Sequence, residues 1–558
     1  MNKIWKIKEL NPQAQAVLSG ALNIAPIAAL VLINRGITEL EDARRFLRAD
    51  LLNLHDPFLL KNMRLVVDRI LKARDKKERV LIFGDYDVDG VTSSVILTQA
   101  LKRLGIEVVN HIPHRVKDGY GLNSQVVEIA RSNQINLVIT VDCGISAVQE
   151  VEALSKRGID VIIIDHHEPN EILPLAYAII NPKQADCPYP FKDLASVGLT
   201  AKLLQALLQK IPEEFLDLIC IGTIADVVPL RGENRILVKA GLPKILKTQN
   251  KGLSAILDAA KLKSKAITPY AVGFIIGPRL NAAGRMDTAH RALDLLLTED
   301  EIEARQLAEE LEGHNADRQK MQREVVEEAL MIVEQEINFK EHKVIVLSKN
   351  GWHKGVLGIA ASRITEKFYR PSIVISLKDG VGTASARSID GFHLTEALQN
   401  CHPYLENFGG HAGAAGLTIK EENIDPFRSL INEVADKVLL NHSLTPMLDI
   451  DADLALREVN LELAEMMKSL EPFGEGNDVP LFCSKGLVIK GPVQTFAKET
   501  LKLWLTDGKV TISAVGFGMA KYKDMLLGAK TVDVAYELAI DDWNKLPSAQ
   551  LRLRDIRE

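Results

Sequence analysis

Cysteine is scarce and scattered in this sequence. Its 558 residues include only Cys143, Cys187, Cys220, Cys401 and Cys483, and no two of these form a C-x-x-C pair. This distribution argues against a disulfide framework or a structural zinc site. It fits the reducing environment of the cytoplasm, where we expect the protein to work.

Long apolar runs are also missing. The most apolar early stretch, residues 24–33, is too short to span a bilayer and contains Pro26. The N-terminus has no apolar core or cleavage pattern, so no signal peptide is expected. These absences predict a protein that does not work in a membrane.

Three familiar catalytic motifs are absent, namely G-x-x-x-x-G-K-[ST], G-x-S-x-G and H-E-x-x-H. Without the first motif, hydrolysis of a nucleoside triphosphate by a P-loop is unsupported. The net charge of −6 also gives the chain no overall positive excess. Any binding of nucleic acid must therefore use a local basic surface.

The first long section of the chain alternates between apolar, β-branched runs and helical patterns. Apolar runs about 25 residues apart predict a parallel sheet that is buried on both faces. The predicted strands are 79–85, 106–112, 135–142, 160–165 and 176–180, and the predicted helices are 91–105, 146–158, 196–210 and 213–226.

The later sections follow three other patterns. Residues 287–340 are charged and favour helix, which is typical of a solvated connecting helix or helix pair. A second α/β pattern has strands at 343–348, 372–377 and 381–388, a helix at 355–368 and a Gly-rich segment at 408–419. From residue 446 apolar and polar residues alternate, and five short strands fit a small OB-fold barrel.

The stretch "FGDYDVDGVTSS" (83–94) places three aspartates in five positions before a glycine. A calcium-binding EF-hand loop would need a glutamate at the twelfth position from Asp85, where Ile96 stands, and a preceding helix rather than a strand. Two interpretations remain. In an extended chain Asp85, Asp87 and Asp89 share one side; alternatively, they form a turn and a helix N-cap.

Other apolar runs also end in potential metal ligands. Asp142 follows one predicted strand, Asp165-His166-His167 follows another, and Asp226 ends an apolar helical run. Ligands of open parallel sheets bind at the carboxyl ends of the strands, so we expect these side chains at one rim. Carboxylates suit Mg²⁺ or Mn²⁺, and imidazole favours Mn²⁺. Two such ions would support phosphoryl displacement.

These residues, in this order, resemble the DHH phosphoesterase superfamily, which is named for the triplet present here as Asp165-His166-His167. Within it, the chain is most similar to the bacterial single-strand-specific DNA exonucleases. The resemblance covers nearly the whole chain and rests on these segments: "GDYDVDGVTS", "HIPHRVKDGYGL", "VDCGIS", "IDHHE", "IGTIADVVPL", "GPRLNAAGRM", "HNADRQ", "GWHKGVLGIAASR", "GGHAGAAG" and "PFGEGN".

The resemblance implies an α/β architecture of several domains: an N-terminal helical segment (1–45), a parallel-sheet DHH catalytic domain (46–286), a long connecting helix (287–340), a second α/β domain called DHHA1 (341–440) and a C-terminal OB-fold β-barrel (446–558). It also implies an enzyme that degrades single-stranded DNA from the 5′ end to 5′-mononucleotides, using Mn²⁺ or Mg²⁺. Recombination and repair, beside a helicase and a single-strand-binding protein, would be its setting, and we expect a monomer.

The resemblance also implies a role for each motif residue. The metal ligands would be Asp87, Asp89, Asp142, His166 and Asp226, with Asp142 as the bridge between two ions. Asp85 and Asp165 would support them. His167 would face the scissile phosphate, Arg285 would hold phosphate and His411 would approach from the second lobe. Arg115, Ser385 and Arg387 would bind the 5′ end.

One position departs from the superfamily pattern. Many DHH enzymes carry a histidine four residues before the second aspartate of the first motif, where this chain has Phe83. One ion would then have fewer protein ligands and bind more weakly. In the barrel, candidate DNA contacts are Lys485, Lys490, Lys498, Lys502, Trp504 and Phe517, although Trp504 within "LKLWL" is equally compatible with a core position.

Two alternative functions remain open. An oligoribonuclease or small phosphodiesterase of the same superfamily is usually shorter and lacks the barrel, so residues 446–558 argue against it. A catalytically inactive single-strand-binding relative would have lost metal ligands, whereas the expected set is intact here apart from Phe83.

Overall fold

The computed structural model describes residues 3–114, 121–286, 289–440, 444–497, 499–542 and 546–558. Arg115 and Lys498 lie outside these ranges. The chain divides into two compact units. The large unit contains Lys3–Ile112, Tyr120–Gly277 and Met447–Glu558, and the small unit is built on Pro278–Pro446.

The N-terminal segment is mostly helical. Its elements are β1 (Ile4–Ile7), α1 (Pro12–Leu22), α2 (Pro26–Asn34), α3 (Leu40–Arg48) and α4 (Met63–Asp75). Helix α2 starts at Pro26, where the missing N–H costs no helical hydrogen bond. No single helix within the described ranges is long and apolar enough to cross a membrane, although α1 and α2 together, bent by 117°, reach the required length and composition.

A five-stranded parallel sheet follows among the described residues, in the order β3-β2-β4-β5-β6. Its elements are β2 (Arg79–Gly84), α5 (Val88–Arg103), β3 (Glu107–His111), α6 (Gln125–Ser132), β4 (Leu137–Val141), α7 (Val148–Ser155), β5 (Asp160–Ile164) and β6 (Ala178–Ile180). Strand β4 is buried along its whole length, as apolar runs in a covered parallel sheet predict. The predicted strands are confirmed.

Helices complete this part of the large unit. They are α8 (Ser196–Leu208), α9 (Leu216–Ala225), α10 (Gly232–Ile245), α11 (Lys251–Ala259) and the short α12 (Pro269–Ala271), which continues as a π-helix over Val272–Ile276. Helix α9 packs against α5 and α10. Its C-terminal end thereby lies beside the N-terminal region of α5, which follows strand β2.

The small unit begins with helices and ends with a mixed sheet. Its elements are α13 (Gly277–Met286), α14 (His290–Leu297), α15 (Glu301–Glu336), β7 (Ile345–Asn350), α16 (Leu357–Phe368), β8 (Ser372–Lys378), β9 (Val381–Arg387), α17 (Leu394–Asn400), β10 (Leu405–Gly410), β11 (Ala414–Lys420) and α18 (Ile424–Val438). The strand order is β10-β11-β9-β8-β7.

One expectation for the small unit needs correction, and the Gly-rich segment acquires a definite structure. The long helix α15 is not solvated throughout, because Val325, Ala329 and Val333 share a hydrophobic core with β7 and α16. The Gly-rich segment 408–419 lies mostly in two strands, since Phe408 of β10 pairs with Leu417 of β11.

The C-terminal part is the predicted barrel. Its elements are β12 (Met447–Ile450), β13 (Ala452–Asp453), α19 (Leu461–Ser469), β14 (Leu481–Ile489), β15 (Gln494–Phe496), β16 (Thr500–Thr506), β17 (Thr511–Gly516), α20 (Lys523–Gly528), β18 (Val532–Asp541) and β19 (Ser548–Arg557). Over the described residues, β14, β16, β17, β19 and β18 pair in that order and β18 returns to β14, which closes a ring of five strands. This connectivity is that of an OB-fold.

The membership of the barrel differs from the sequence-based expectation. The first strand of the ring is β14, which the sequence did not predict, whereas β12 pairs in parallel with β1. Buried side chains of α2, including Leu30 and Leu32, share one core with the barrel. Helix α2 of the N-terminal segment therefore packs directly against the barrel.

Candidate metal centre

Three aspartates follow β2, but not in an extended chain. Strand β2 ends at Gly84, Asp87 is the N-cap of α5 and Asp89 lies in its first turn. The Oδ1 atom of Asp87 accepts hydrogen bonds from the backbone N–H groups of Asp89 at 2.9 Å and Gly90 at 3.1 Å. The extended arrangement was wrong, and the turn with an N-cap is what forms.

A tight turn keeps Asp85 close to these residues. A Cβ atom at Gly90 would lie 2.5 Å from the backbone oxygen of Asp85, so only glycine allows this approach. The side chain of Asp85 is buried, and its N–H donates to the carbonyl of Val141 at 3.3 Å. The turn that contains Asp85 is therefore hydrogen-bonded to the end of β4.

Asp142 follows β4 in the left-handed conformation, with φ of 64°. Its N–H donates to the carbonyl of Ile164 at 2.9 Å, which extends the pairing of β4 with β5 by one residue. Its side chain is buried at the carboxyl end of the sheet. This backbone conformation is unusual for a residue other than glycine and is common where a side chain is aimed at a functional site.

The two adjacent histidines after β5 have different environments. His167 Nδ1 lies 2.7 Å from Oδ1 of Asp165, whose Oδ2 accepts from the N–H of Ile145 at 3.0 Å. Burial alone would raise the pKa of Asp165 and lower the pKa of His167. The hydrogen bond between the two side chains acts in the opposite direction, and the net result is a lowered pKa for Asp165 and a raised pKa for His167. The ring of His166 lies 4.5 Å from that of His167, centroid to centroid, and its Nε2 lies 3.3 Å from Oδ1 of Asp142.

Asp226 arrives from a helix instead of a strand. It is the C-cap of α9, and its Oδ2 lies 3.4 Å from Nε2 of His166. Gly222, one turn earlier, allows the approach of α9 because a Cβ there would collide with the hydroxyl of Thr92 on α5 and with Val197 on α8. In the motif "IGTIAD", Gly222 allows the helices to pack closely and Asp226 supplies the carboxylate.

Helix α8 contributes two groups that sequence reasoning missed. The N–H of Ser196 donates to Oδ2 of Asp89 at 2.7 Å, and the N–H of Val197 donates to Oδ1 at 2.8 Å. The first N–H groups of a helix have no partner inside it and favour negative charge. No sequence signal could have identified them, because backbone amides have no residue signature.

Seven of the predicted residues thus come together. Potential ligand atoms lie within 4.8 Å of one another in three groups, which are Asp142 with His166 and His167, Asp89 with His166 and Asp226, and Asp85 with Asp87 and Asp142. Asp165 stands behind this cluster and contacts it through His167.

Burial and mutual repulsion shift the pKa values of the cluster. Burial, together with repulsion from Asp87, raises the pKa of Asp89 to about 7. Burial and repulsion from Asp89 raise the pKa of Asp226 to about 10, and the same causes place the pKa of Asp142 well above its usual range. Burial lowers the pKa of His166 to about 3, so its imidazole is neutral at pH 7.

A divalent cation fits this donor set. His166 Nε2 and Asp226 Oδ2 are buried and make no hydrogen bond, although they point towards each other. A buried polar atom without a partner is costly, and a cation between a neutral imidazole and several carboxylates would satisfy both atoms. Oxygen ligands with one imidazole suit Mn²⁺ and Mg²⁺.

Other predicted residues lie in the small unit. Ser385 and Arg387 lie on β9, and both come close to Gly358 of α16, where a Cβ would lie 3.0 Å from Nη2 of Arg387. Arg285 donates from Nη1 to the carbonyl of Gly355 at 3.2 Å. His411 is exposed in the turn between β10 and β11.

Comparison with known proteins agrees with this architecture. Residues 79–223 match the DHH family N-terminal domain, 341–437 the DHHA1 domain and 450–555 the RecJ OB domain. The single-stranded-DNA-specific exonuclease RecJ of Bacillus subtilis is 38% identical over 554 residues, which are 99% of this chain and 70% of that protein.

Two solved structures are also similar. RecJ of Thermus thermophilus in complex with Mn²⁺ has a TM-score of 0.85 and 31% identity, covering 100% of this chain and 79% of that one. The same protein in complex with Mg²⁺ has a TM-score of 0.78 and 29% identity, covering 100% and 78%.

Proposed function

This chain belongs to the family of RecJ single-stranded-DNA-specific exonucleases, and from that membership we propose that it hydrolyses single-stranded DNA with the help of a divalent metal. The observation that carries the proposal is the convergence of carboxylates from two strand ends and one helix end around a neutral His166, which follows a third strand. We further propose that degradation runs 5′→3′ and releases 5′-mononucleotides.

The cofactor would be Mn²⁺ or Mg²⁺. Asp87, Asp89, Asp142, His166 and Asp226 would hold two ions, with Asp142 shared between them. Bound there, the ions would supply positive charge that polarises the phosphate and offsets the charge developing on its oxygens. Phe83 offers no ligand, because a phenyl ring has no donor atom, so we expect one ion to bind more weakly. Its ring is buried, and its centroid lies 5.2 Å from that of His111.

The protein's own side chains would orient the phosphate. Nδ1 of His167 is hydrogen-bonded to Asp165, so Nε2, on the opposite edge of the ring, would be the atom that faces the scissile phosphate. Asp85 would support the ligands from behind the turn at Gly90.

The small unit would supply further phosphate contacts. Arg285 and His411 would contact phosphate near the metals, and Ser385, Arg387 and Arg115 would bind the 5′ end. The neighbouring positions of Ser385 and Arg387 on β9 support this assignment, since both can donate to one phosphate.

The domain boundaries belong to the same proposal. We assign residues 46–286 to the DHH domain, 287–340 to the connecting helices, 341–440 to the DHHA1 domain and 446–558 to the OB-fold. The cellular setting is also proposed: recombination and repair in the cytoplasm, as a monomer, beside a helicase and a single-strand-binding protein. Co-purification and light scattering test the partners and the monomer.

A single assay tests the proposed activity. Single strands labelled at the 5′ or the 3′ end, a duplex and a short RNA are each incubated with Mn²⁺. We expect nucleotides to be released from the 5′ end of the single strand first. Release from the 3′ end, preference for RNA, or no release would each contradict the proposal.

Asp142→Ala is the matching variant, and we expect it to abolish activity while the protein stays folded. Asp186→Ala is its control, because Asp186 is exposed and pairs with Lys61 on the surface. Wild-type activity in Asp142→Ala would refute the assignment of Asp142 as a metal ligand.

A further inference from the structure

Two large aromatic side chains of the large unit are exposed side by side. Tyr270 and Phe274 are each 66% exposed, and their rings are stacked with centroids 4.7 Å apart and planes 22° from parallel. Aromatic rings of this size normally contribute to a core, so an exposed stacked pair indicates a binding surface.

The pair lies beside the C-terminal end of α9, the helix whose C-cap is Asp226. Phe274 is in the π-helix, and single π-turns of this kind are frequent at functional sites. Two glycines near Phe274 lie close to α9. A Cβ at Gly273 would lie 3.9 Å from Ile224, and a Cβ at Gly277 would lie 3.6 Å from Ala225. The next residue after Ala225 is Asp226.

A groove extends from this point in two connected parts. The first part, about 460 Å³, is lined by Val227, Tyr270 and Phe274 among others. The second, about 820 Å³, shares Tyr270, Pro269, Phe473 and Val479 with it and continues to Arg552 on β19. The groove thus runs from Val227, just after the end of α9, to the barrel.

Charge varies along the groove. Glu475 and Asp478 line the first part, which therefore suits uncharged, flat groups better than phosphates. Lys239, Lys468 and Arg552 line the second part, with Glu471 as the acid there. This positive end suits a phosphate backbone, and the guanidinium of Arg552 lies 5.9 Å from the ring of Phe517, which is exposed on the barrel.

We propose that Tyr270 and Phe274 form a stacking platform for a nucleobase of the single strand whose terminal nucleotide is at the carboxylate cluster. The following nucleotides then pass along the groove towards Arg552 and the outer face of the barrel. This inference rests on the proposed function. Every base has a flat face, so such a platform holds a strand without reading its sequence.

The test compares Tyr270→Ala, Phe274→Ala and the double variant with the wild type. Binding of a fluorescent 20-nucleotide strand is measured in EDTA, so that no cleavage occurs. Loss of stacking on one base is expected to weaken binding roughly 5- to 150-fold. Phe58→Ala is the control, since Phe58 is an exposed phenylalanine of the same unit and lies outside the groove.

An abasic scan separates stacking from other effects. One base at a time is removed from the strand, counting from the end that is cleaved. At one position the missing base should weaken binding to the wild type as much as the double variant does, and should cost nothing further in that variant. Thermal unfolding of all variants should match the wild type, because both rings are exposed.

Two outcomes would contradict the inference. Equal affinity of the double variant and the wild type, or an additive penalty at every abasic position, would overturn it, and a protein partner would then be the better explanation of the pair. Failure of the proposed function is distinguishable, because the wild type itself would then release nucleotides from the 3′ end, prefer RNA or release none.

Discussion

Nε2 of His166 and Oδ2 of Asp226 lie 3.4 Å apart in the interior of the large unit, and neither makes a hydrogen bond. Burial lowers the pKa of His166 to about 3 and, with repulsion from Asp89, raises the pKa of Asp226 to about 10. At neutral pH in the metal-free protein, His166 is therefore neutral and Asp226 is protonated, so the two groups meet without an ionic charge on either. A bound cation would reverse the preference of Asp226 and favour its ionised form.

Metal binding is expected to stabilise the folded protein. A ligand at 100 times its Kd adds about 2.7 kcal/mol to the free energy of unfolding when it binds only the folded state. Mn²⁺ should therefore raise the Tm of the wild type, and the rise should shrink at lower pH because protons compete for the carboxylates. Asp89→Asn should lose much of the rise. The same rise in Asp89→Asn and in the surface variant Asp186→Asn would refute the role of Asp89.

The metal-free protein should lose stability as pH rises from 7 to 9. Asp226 has a pKa near 3.9 when unfolded and about 10 when folded, so in this range the folded state holds a proton that the unfolded state has released. The contribution is complete below pH 4 and disappears as pH rises through 10. Unfolding by urea in EDTA at several pH values measures the slope.

Asp226→Asn should flatten that slope, since the amide does not titrate. The variant is needed because other groups contribute in the same direction. Burial and repulsion also raise the pKa of Asp142 and of Asp89, and the hydrogen bond to Asp165 raises the pKa of His167 against the effect of burial. An unchanged slope in Asp226→Asn would show that Asp226 ionises normally. His166 has the opposite sign, because its lowered pKa removes stability as pH falls from 6.5 towards 3, below the range measured.

Some of the site could be predicted from sequence because strand ends leave a readable pattern. Asp142 and the Asp165-His166-His167 triplet each follow a continuous apolar run, and parallel strands bring such ends together. The chain direction after β2 was harder to predict, because Asp87 serves both as a helix cap and as part of the carboxylate cluster.

Other features had no usable signal. The α8 amides that bind Asp89 belong to Ser196 and Val197, and any residue except proline could supply them. Strand β14 was missed because "LFCSKGLVI" does not alternate between apolar and polar residues. Tyr270 and Phe274 are spaced as on one helix face, a pattern that usually indicates a core rather than an exposed pair.

Ser196→Pro should weaken metal binding, whereas Ser196→Ala should not. Proline at the first position of α8 removes the N–H that donates to Asp89 but is tolerated there, and the preceding Ala195 already has the extended conformation that proline requires. A hydrogen bond to a charged group is worth about 1.5–3 kcal/mol, so the affinity for Mn²⁺ should fall about tenfold or more.

Titration calorimetry with Mn²⁺ measures the effect on both variants, and circular dichroism confirms the helix. Ser196→Ala keeps the amide and loses only a hydroxyl that lies 3.4 Å from the carbonyl of Ile164. Equal affinities of the two variants would mean that the amide of Ser196 does not position Asp89 for the metal.

Trp504 and its neighbour Leu503 should respond differently to truncation. They point to opposite faces of β16, with Trp504 46% exposed and Leu503 fully buried. Trp504 therefore does not lie in the core, which was one of the two positions that the sequence allowed, and Leu503 faces the core. Trp504→Ala should leave the Tm unchanged but weaken binding of a 20-nucleotide strand, since stacking on one base contributes about 1–3 kcal/mol.

Leu503→Ala should destabilise the protein by about 2–5 kcal/mol, because it opens a cavity in the barrel core. Where Leu503→Ala is still folded, its affinity for the strand should equal that of the wild type. Fluorescence anisotropy in EDTA and thermal unfolding, applied to both variants, give the two readouts. An unchanged affinity in Trp504→Ala would remove this face of β16 from the DNA-binding surface, because its largest exposed side chain would then make no contact.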